Sequence, residues 1–366
     1  MSAIVTPGDT ITPSIAARRQ RWRAFLQPDA APGFCFFIRC NDPKHPLPPT
    51  PPLWPDKAKE RIEYNWRVYQ RACERAALVN DDSVPYINML TGTEIFAEAF
   101  GCPVHRSADN NPFALPLIQT ADEVASLKIP ELSTSSLAYL FDMADELRRR
   151  AGPGAVFRLV DIQSPMDIAA LIWEKSAFFV GMLETPEAVK ELAAKVRKLL
   201  TAFLDEWFRR YGTDYVAHYP DYFMSGGVTL SEDEVGSVNE ALFVELFLPG
   251  LKALSNRYGG LGVHCCADAR HQWSHFRGIP GLQLLNLVNP PTRKPEDYIR
   301  NAFPFFRDTC VQWHNGWTPD GTPDTWPSKY PVGCRVVIDA GVENLVAAQI
   351  LADKLQAARK RLYGAG

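Results

Sequence analysis

The chain has 366 residues, is 46% hydrophobic and carries a formal net charge of −3. This near-neutral balance argues against a nucleic-acid or anionic-membrane partner, because either would favour a basic surface. The length and the apolar fraction are sufficient for a substantial buried core, in one large domain or two ordinary ones.

The first thirty residues contain several arginines but no continuous apolar segment, so neither a signal peptide nor a membrane span is expected. The eight cysteines are scattered without the regular spacing of a disulfide scaffold. Reduced thiols of this kind are typical of cytosolic proteins, and a cytoplasmic location is therefore the expectation.

Predicted strands and helices alternate along the chain. Short segments rich in apolar, aromatic or β-branched residues predict eight strands, at residues 34–39, 84–89, 156–162, 214–219, 261–266, 283–288, 309–314 and 335–339. Apolar stripes with start and stop signals predict helices that begin at Ser164 and that cover residues 56–78, 93–100, 136–150, 185–207, 231–257, 269–277, 295–304 and 344–363. This order predicts an α/β fold, and the count of eight favours a (β/α)₈ TIM barrel. The barrel would be a single domain over residues 1–366, with an N-terminal extension at 1–32.

Polar residues stand at the carboxyl ends of the predicted strands, where the reactive groups of such barrels collect. Some polarity is expected there in any case, since every strand must leave the core and meet water. We expect four of these residues, Arg39, Asp161, His218 and His264, to share one cavity. The polar residues at these ends are Arg39, Asp42, Asn88, Asp161, Gln163, His218, His264, Cys266, Asn286, His314 and Asp339.

The predicted fifth strand ends in the sequence Val263-His-Cys-Cys266. Side chains alternate between the two faces of a strand, so His264 and Cys266 point the same way and Cys265 points the opposite way. An imidazole and a thiolate are ligands that zinc accepts, but they supply only half of a site. A buried cysteine is otherwise a small apolar filler, and that interpretation stays open for both cysteines.

Several segments resemble the uroporphyrinogen decarboxylase superfamily, which also includes zinc-dependent corrinoid and thiol methyltransferases. They are residues 161–165, 178–187, 221–231 and 263–266, and the resemblance covers roughly residues 80–362. It implies the barrel fold and an enzyme of this superfamily. In the methyltransferase branch, an H-x-C pair at this strand and a cysteine near the last strand bind zinc. The resemblance therefore implies His264 and Cys266 as zinc ligands.

The third ligand does not follow directly from the resemblance. Cys334 precedes the eighth predicted strand and Cys310 lies inside the seventh, whereas His314 lies at the carboxyl end of the seventh. Barrel geometry therefore favours His314, with Cys310 and Cys334 behind it.

The decarboxylase branch is matched at fewer positions. Its arginine-rich loop after the first strand, which holds substrate carboxylates, is reduced here to Arg39, and its serine in the F-D-S-W-A-G turn corresponds to Ser225. The carboxylate expected near residues 88–92 and the histidine of a late G-H-G motif are absent from the sequence. These departures count against tetrapyrrole decarboxylation.

Three hypotheses follow. The first is a zinc-assisted methyltransferase that moves a methyl group between a small-molecule substrate and a corrinoid on a separate protein. The second is a metal-free decarboxylase of a tetrapyrrole-like or aromatic acid, in which Arg39 anchors a carboxylate and Asp161 or Asp339 provides acid/base chemistry. The third is a catalytically idle barrel that binds a ligand.

Overall fold

The computed structural model describes residues 12–40, 46–107 and 110–364. The helices are α1 (Pro13–Phe25), α2 (Ala58–Leu78), α3 (Ile95–Ala99), α4 (Ala121–Ser126), α5 (Ala138–Ala151), α6 (Pro165–Ile172), α7 (Lys175–Glu184), α8 (Pro186–Tyr211), α9 (Glu240–Leu242), α10 (Leu248–Tyr258), α11 (Trp273–Arg277), α12 (Ile299–Phe305) and α13 (Leu345–Tyr363). The strands are β1 (Gly33–Cys40), β2 (Ile87–Asn88), β3 (Val104–His105), β4 (Phe113–Ala114), β5 (Phe157–Arg158), β6 (Asp214–Val216), β7 (Phe223–Ser225), β8 (Val228–Ser231), β9 (Leu261–Cys265), β10 (Leu282–Leu287), β11 (Val311–Gln312) and β12 (Arg335–Val342). None of the helices in these ranges is long and apolar enough to cross a membrane.

The strands of the described residues form two main sheets and one small hairpin. The larger sheet has the order β1-β12-β11-β10-β9-β8, and all of its neighbours are parallel. The smaller has the order β2-β5-β6-β7, in which only β7 runs antiparallel to its neighbour. A bridge between Gln163 and Ser231 connects the two sheets. The predicted α/β fold with a parallel sheet is confirmed, whereas hydrogen-bonded pairing around a complete eight-stranded ring is not seen in these ranges.

Every predicted strand overlaps an observed one, but the segment after the fourth differs from the prediction. The sequence predicts a Gly/Ser turn at residues 225–227 that leads into a helix from Ser231. The structure has the turn, but it connects two unpredicted strands, β7 and β8, and the next α-helix begins only at Glu240. Gly226 and Gly227 make this turn with φ angles of 78° and 74°, a left-handed conformation that glycine adopts without steric cost. The β-branched and apolar side chains of β8 are buried, which favours a strand over a helix.

The start of α6 agrees with its sequence signal. The Ser164 side chain accepts hydrogen bonds from the backbone N–H groups of Met166 and Asp167, at 3.2 and 3.0 Å, and Pro165 occupies the first turn. This cap fixes the position of Asp167, whose carboxylate contacts the site described below.

Two buried aspartates hold the edge of β1 that β12 does not cover. Asp82 accepts a hydrogen bond from the Phe36 N–H at 2.8 Å, and Asp81 accepts one from the Ile38 N–H at 3.2 Å. The Asp82 backbone N–H donates to the Phe36 carbonyl at 2.9 Å. The two carboxylates therefore satisfy backbone groups that a neighbouring strand would otherwise satisfy.

Four arginines from three helices neutralise this aspartate pair. Arg18 of α1 and Arg75 of α2 bind Asp81, at 3.5 and 2.8 Å. Arg21 of α1 and Arg359 of α13 bind Asp82. Trp22 of α1 is fully buried and its indole N–H donates to the Asp82 carbonyl at 2.8 Å. Helix α1, which the sequence places in an N-terminal extension, therefore packs against the same core as β1.

Replacement of Asp82 should destabilise the fold strongly. Asp82→Asn removes the negative charge that Arg21 and Arg359 share in a buried position. We expect the free energy of unfolding to fall by about 3 kcal/mol or more. As a matched control, Glu206→Gln removes a carboxylate that pairs with Arg209 and Arg210 at the surface and should change it by less than about 1 kcal/mol. Equal effects of the two variants in denaturant unfolding would contradict the role given to Asp82.

Candidate metal centre and its surroundings

Three side chains with different donor atoms converge at the carboxyl ends of β8 and β9. One carboxylate oxygen of Asp233, one ring nitrogen of His264 and the Cys266 sulfur all lie within 4.8 Å of one another. Ser231 of β8 pairs with His264 of β9, so the loops that leave these parallel neighbours meet. The Cys266 N–H donates to Asp233 Oδ1 at 2.6 Å. Oxygen, nitrogen and sulfur in this arrangement are a donor set that suits zinc.

Asp167 of α6 holds the loop that carries Asp233. Its carboxylate accepts hydrogen bonds from the backbone N–H groups of Asp233 and Glu234, at 2.8 and 3.0 Å. Burial raises the pKa of Asp167 to about 7, and the nearby charge of Asp233 adds to the increase. Asp233 was not among the sequence candidates, because its segment was predicted to be a helix.

His264 is oriented by a neighbouring strand. Its Nδ1 lies 2.6 Å from Asn286 Oδ1, and its ring contacts the ring of Tyr219 at a centroid distance of 4.6 Å. Burial lowers the pKa of His264, so the imidazole is neutral near pH 7. A neutral imidazole whose Nδ1 is engaged leaves Nε2 as the nitrogen that can bind a metal.

The two adjacent cysteines have opposite environments, as side-chain alternation predicts. Cys265 is completely buried, whereas Cys266 is exposed. Two main causes raise the pKa of the Cys266 thiol to about 12. The larger is the partial burial of the sulfur, and the second is the negative charge of Asp233. The residue as a whole nevertheless keeps an exposed surface. The free thiol is therefore protonated near neutral pH, and metal binding must release that proton.

His314, the predicted third ligand, lies elsewhere. Its Nδ1 accepts a hydrogen bond from the Leu287 N–H at 3.1 Å, and its Nε2 lies 3.0 Å from Gln312 Oε1. Its ring packs against Phe303 of α12, on the helix side of the sheet. Both ring nitrogens are therefore engaged away from Asp233, and Asp233 takes the place that the sequence analysis gave to His314. The two reserve candidates do not join the cluster either, because Cys310 is fully buried and Cys334 donates to the Phe303 carbonyl at 3.3 Å.

Arg39 is held between two carboxylates. Its Nη1 and Nη2 contact Asp221 at 2.9 and 2.7 Å, and its Nε contacts Asp339 Oδ1 at 3.0 Å. Tyr86 also donates to Asp221, at 3.0 Å. Although burial acts to raise the pKa of Asp221, the hydrogen bonds from Arg39 lower it to about 2. Arg39, Asp221 and Asp339 thus form an ion-pair group near the carboxyl ends of β1 and β12, in which both aspartates bind the same guanidinium.

Asp161 is a carboxyl group with an unsatisfied oxygen. Its Oδ1 is buried and has no hydrogen-bond partner in the described part of the chain, while its backbone N–H donates to Thr91 Oγ1 at 3.1 Å. Burial raises its pKa to about 7; Arg158 opposes this increase and Asp233 adds to it. A carboxyl group that titrates near pH 7 is suited to general acid/base chemistry.

The His218 side chain is buried against β8. It is 1% exposed, and its ring nitrogens lie 3.3 Å from Thr229 Oγ1 and 3.0 Å from Ser231 Oγ. Burial lowers its pKa well below the usual value, so the ring is neutral. Its carbonyl accepts two hydrogen bonds from Arg158. These contacts give His218 a supporting position close to His264, whose charge influences its pKa.

Ser225 lies at the opposite end of the strands. Its hydroxyl donates to Asp214 Oδ1 at 2.6 Å, and it accepts from Arg23 Nε at 3.2 Å. Asp214 is the first residue of β6, so Ser225 marks the amino end of that strand. The turn that resembles the family motif forms the β7–β8 connection here, and it does not bring Ser225 to the cluster of Asp233, His264 and Cys266.

One cavity contains only some of the candidate residues. A cavity of about 710 Å³ is lined by Arg39, Tyr86 and Asp221, and its walls in the described residues include neither Asp161, His218 nor His264. Asp161, His218 and Asp221 are nevertheless connected through Arg158, whose charge influences the pKa of each. The shared cavity of Arg39, Asp161, His218 and His264 stays a prediction.

The comparisons with known proteins agree with this arrangement of strands and loops. The chain is similar to a solved methyltransferase from Methanosarcina mazei, with a TM-score of 0.62 over 94% of this chain and 99% of that chain, at 12% sequence identity. This likeness shows the fold alone. No curated protein matches the chain.

A family match makes the assignment more specific. Residues 86–296, more than half of the chain, match the family described as Uroporphyrinogen decarboxylase (URO-D). The protein is thus an enzyme of the superfamily built on this α/β fold. It belongs to the uroporphyrinogen decarboxylase family, and the resemblance noted in the sequence is confirmed.

Asp161 should make the stability of the protein depend on pH. Its pKa rises from 3.8 to about 7 on folding, so its contribution to stability is fully present below about pH 4 and is lost as the pH rises through about 7. Asp161→Asn removes this loss, and the variant should gain stability relative to the wild type between about pH 4 and pH 8. The control Asp353→Asn replaces an exposed carboxylate of α13 and should show no such trend. Parallel stability profiles for wild type and Asp161→Asn would contradict the environment assigned to Asp161.

Proposed function

We propose that this enzyme is a zinc-assisted methyltransferase that moves a methyl group between a small-molecule substrate and a corrinoid carried on a separate protein. The observation that carries the proposal is the cluster of Asp233, His264 and Cys266. The methyltransferase from Methanosarcina mazei that shares the fold is consistent with it. The proposal includes closure of the two sheets into a (β/α)₈ barrel, because the Gln163–Ser231 bridge and the Asp81–Asp82 pair lie at the two gaps between them.

The donor set suits a catalytic rather than a structural zinc site. Structural zinc sites have four protein ligands, whereas catalytic sites combine three protein ligands with one open position. Asp233, His264 and Cys266 are three ligands, and the exposure of Cys266 leaves access for a substrate. Zinc bound there would act as a Lewis acid that stabilises the anion of a substrate thiol or hydroxyl near neutral pH.

The surrounding residues supply positioning and proton transfer. Asp167 fixes the loop of Asp233 through two backbone hydrogen bonds. Asp161 lies near enough to Asp233 for their charges to interact, and its pKa of about 7 allows it to accept the proton that a substrate thiol or hydroxyl loses. Tyr219 is 40% exposed and its ring contacts His264, so it offers an apolar surface beside the cluster.

The decarboxylase alternative receives less support from the geometry. It assigns Arg39 to a substrate carboxylate and Asp339 to acid/base chemistry, but these two residues bind each other, and Asp221 occupies both Nη atoms of Arg39. Asp161 remains available to that mechanism as an acid or base. Stoichiometric zinc would distinguish the methyltransferase from this alternative and from an idle ligand-binding barrel.

The proposed activity can be tested with protein purified without chelators. We expect about one zinc per chain by elemental analysis, and zinc-dependent transfer of the methyl group of methylcobalamin to a small thiol. Removal of zinc should abolish the transfer, and added zinc should restore it. Protein that holds no metal and is not stimulated by zinc would refute the proposal, and metal-free loss of carbon dioxide from a supplied aromatic or tetrapyrrole acid would favour the decarboxylase.

The metal ligands can be distinguished from their neighbours by substitution. Cys266→Ala and Asp233→Asn each remove a ligand, so each should weaken zinc binding by more than the 10–100-fold that changes outside the ligand shell typically cause. Neither should lower the free energy of unfolding of the metal-free protein much. Cys265→Ala is the matched control, since it leaves a cavity in the core and should cost roughly 1–2 kcal/mol while zinc titration gives the wild-type affinity. If Cys265→Ala lost zinc and Cys266→Ala kept it, Cys265 rather than Cys266 would be the ligand.

A further inference from the structure

Asn286 lies beside His264 on the adjacent strand. The two residues are partners in the parallel register of β9 and β10, and Asn286 is fully buried. Its Oδ1 is 2.6 Å from Nδ1 of His264, within hydrogen-bond distance. A buried amide that reaches only one side chain of a candidate metal cluster can control that side chain.

The orientation of the Asn286 amide is fixed by its other partners. Its Nδ2 donates to the backbone carbonyl of Trp313 and to Asn315 Oδ1, the latter at 2.8 Å. A backbone carbonyl can only accept a hydrogen bond, so the NH₂ group must face Trp313 and the amide oxygen must face His264. The interaction with His264 therefore requires a proton on Nδ1 of the imidazole.

We infer that Asn286 is a positioning residue that holds neutral His264 in the tautomer protonated at Nδ1. A neutral imidazole carries its proton on either nitrogen, and only this tautomer presents the Nε2 lone pair to a metal. The purpose of this control rests on the proposed function, but the tautomer itself follows from the contacts of Asn286 alone. Asn286 is not a member of the Asp233, His264 and Cys266 cluster and acts on it through His264.

The tautomer can be measured in the metal-free protein. Long-range ¹H–¹⁵N correlation spectra of protein labelled with ¹⁵N-histidine distinguish the protonated from the unprotonated ring nitrogen, and His264→Gln identifies the signals of His264. We expect the wild type to carry the proton on Nδ1. Asn286→Leu should shift the population toward the tautomer protonated at Nε2, because it removes the acceptor at similar volume.

Two variants separate this role from a structural one. Asn286→Asp keeps an oxygen acceptor for Nδ1 and, when protonated, a donor for the Trp313 carbonyl, so it should retain the Nδ1 tautomer. Asn315→Ala removes a different partner of Asn286 and leaves the Trp313 contact, so it should retain the tautomer as well. Zinc affinity should fall about 10–100-fold for Asn286→Leu and stay near the wild-type value for Asn286→Asp.

The outcomes separate the inference from the proposed function. A wild-type spectrum with the proton on Nε2, or an unchanged Nδ1 tautomer in a folded Asn286→Leu variant, would overturn the inference. An Nδ1 tautomer in a wild-type protein that binds no zinc would support the inference while refuting the methyltransferase proposal. The wild-type spectrum is decisive even if Asn286→Leu fails to fold.

Discussion

The ion-pair group around Asp81 and Asp82 holds the first strand in place. The two carboxylates are both fully buried, and their hydrogen bonds to the Phe36 and Ile38 N–H groups satisfy one edge of β1. Isolated buried carboxylates would be unstable, so the fold requires arginines from α1, α2 and α13 to converge on this point. Because β1 is thereby fixed against β12, Arg39 and Asp339 meet at the carboxyl ends of these strands.

Much of the fold was predictable because its signals are local. Each of the eight predicted strands overlaps an observed strand, and the Ser164 cap and the long amphipathic helix α8 lie where their sequence signals place them. The break between the sheets was not predictable, since it depends on aspartate side chains that replace a backbone ladder. A side chain that takes the place of a neighbouring strand's backbone leaves no periodic pattern in the sequence.

The candidate site was predicted in part for a similar reason. Strand alternation placed His264 and Cys266 together and Cys265 in the core, because it depends only on neighbouring residues. Asp233 was missed because its acidic segment after Ser231 was interpreted as the start of a helix. The β-branched residues of β8 after the glycine turn were the available signal for a strand, which would have placed Asp233 beside His264. The prediction for His314 was wrong because its side chain faces α12. Its neighbour Trp313 points to the other face of the sheet and packs there against Phe37.

The Arg39 ion-pair group also has a consequence for charged ligands. A ligand carboxylate that approached Arg39 would have to displace Asp221 or Asp339, and the displaced aspartate would lose its partner in a mostly dehydrated position. Breaking a buried pair in this way typically costs about 3–5 kcal/mol, although the partial exposure of Arg39 reduces that penalty here. A polyanionic ligand at the carboxyl ends of β1 and β12 would therefore compete with two aspartates for Arg39, whereas an uncharged ligand would not face that competition.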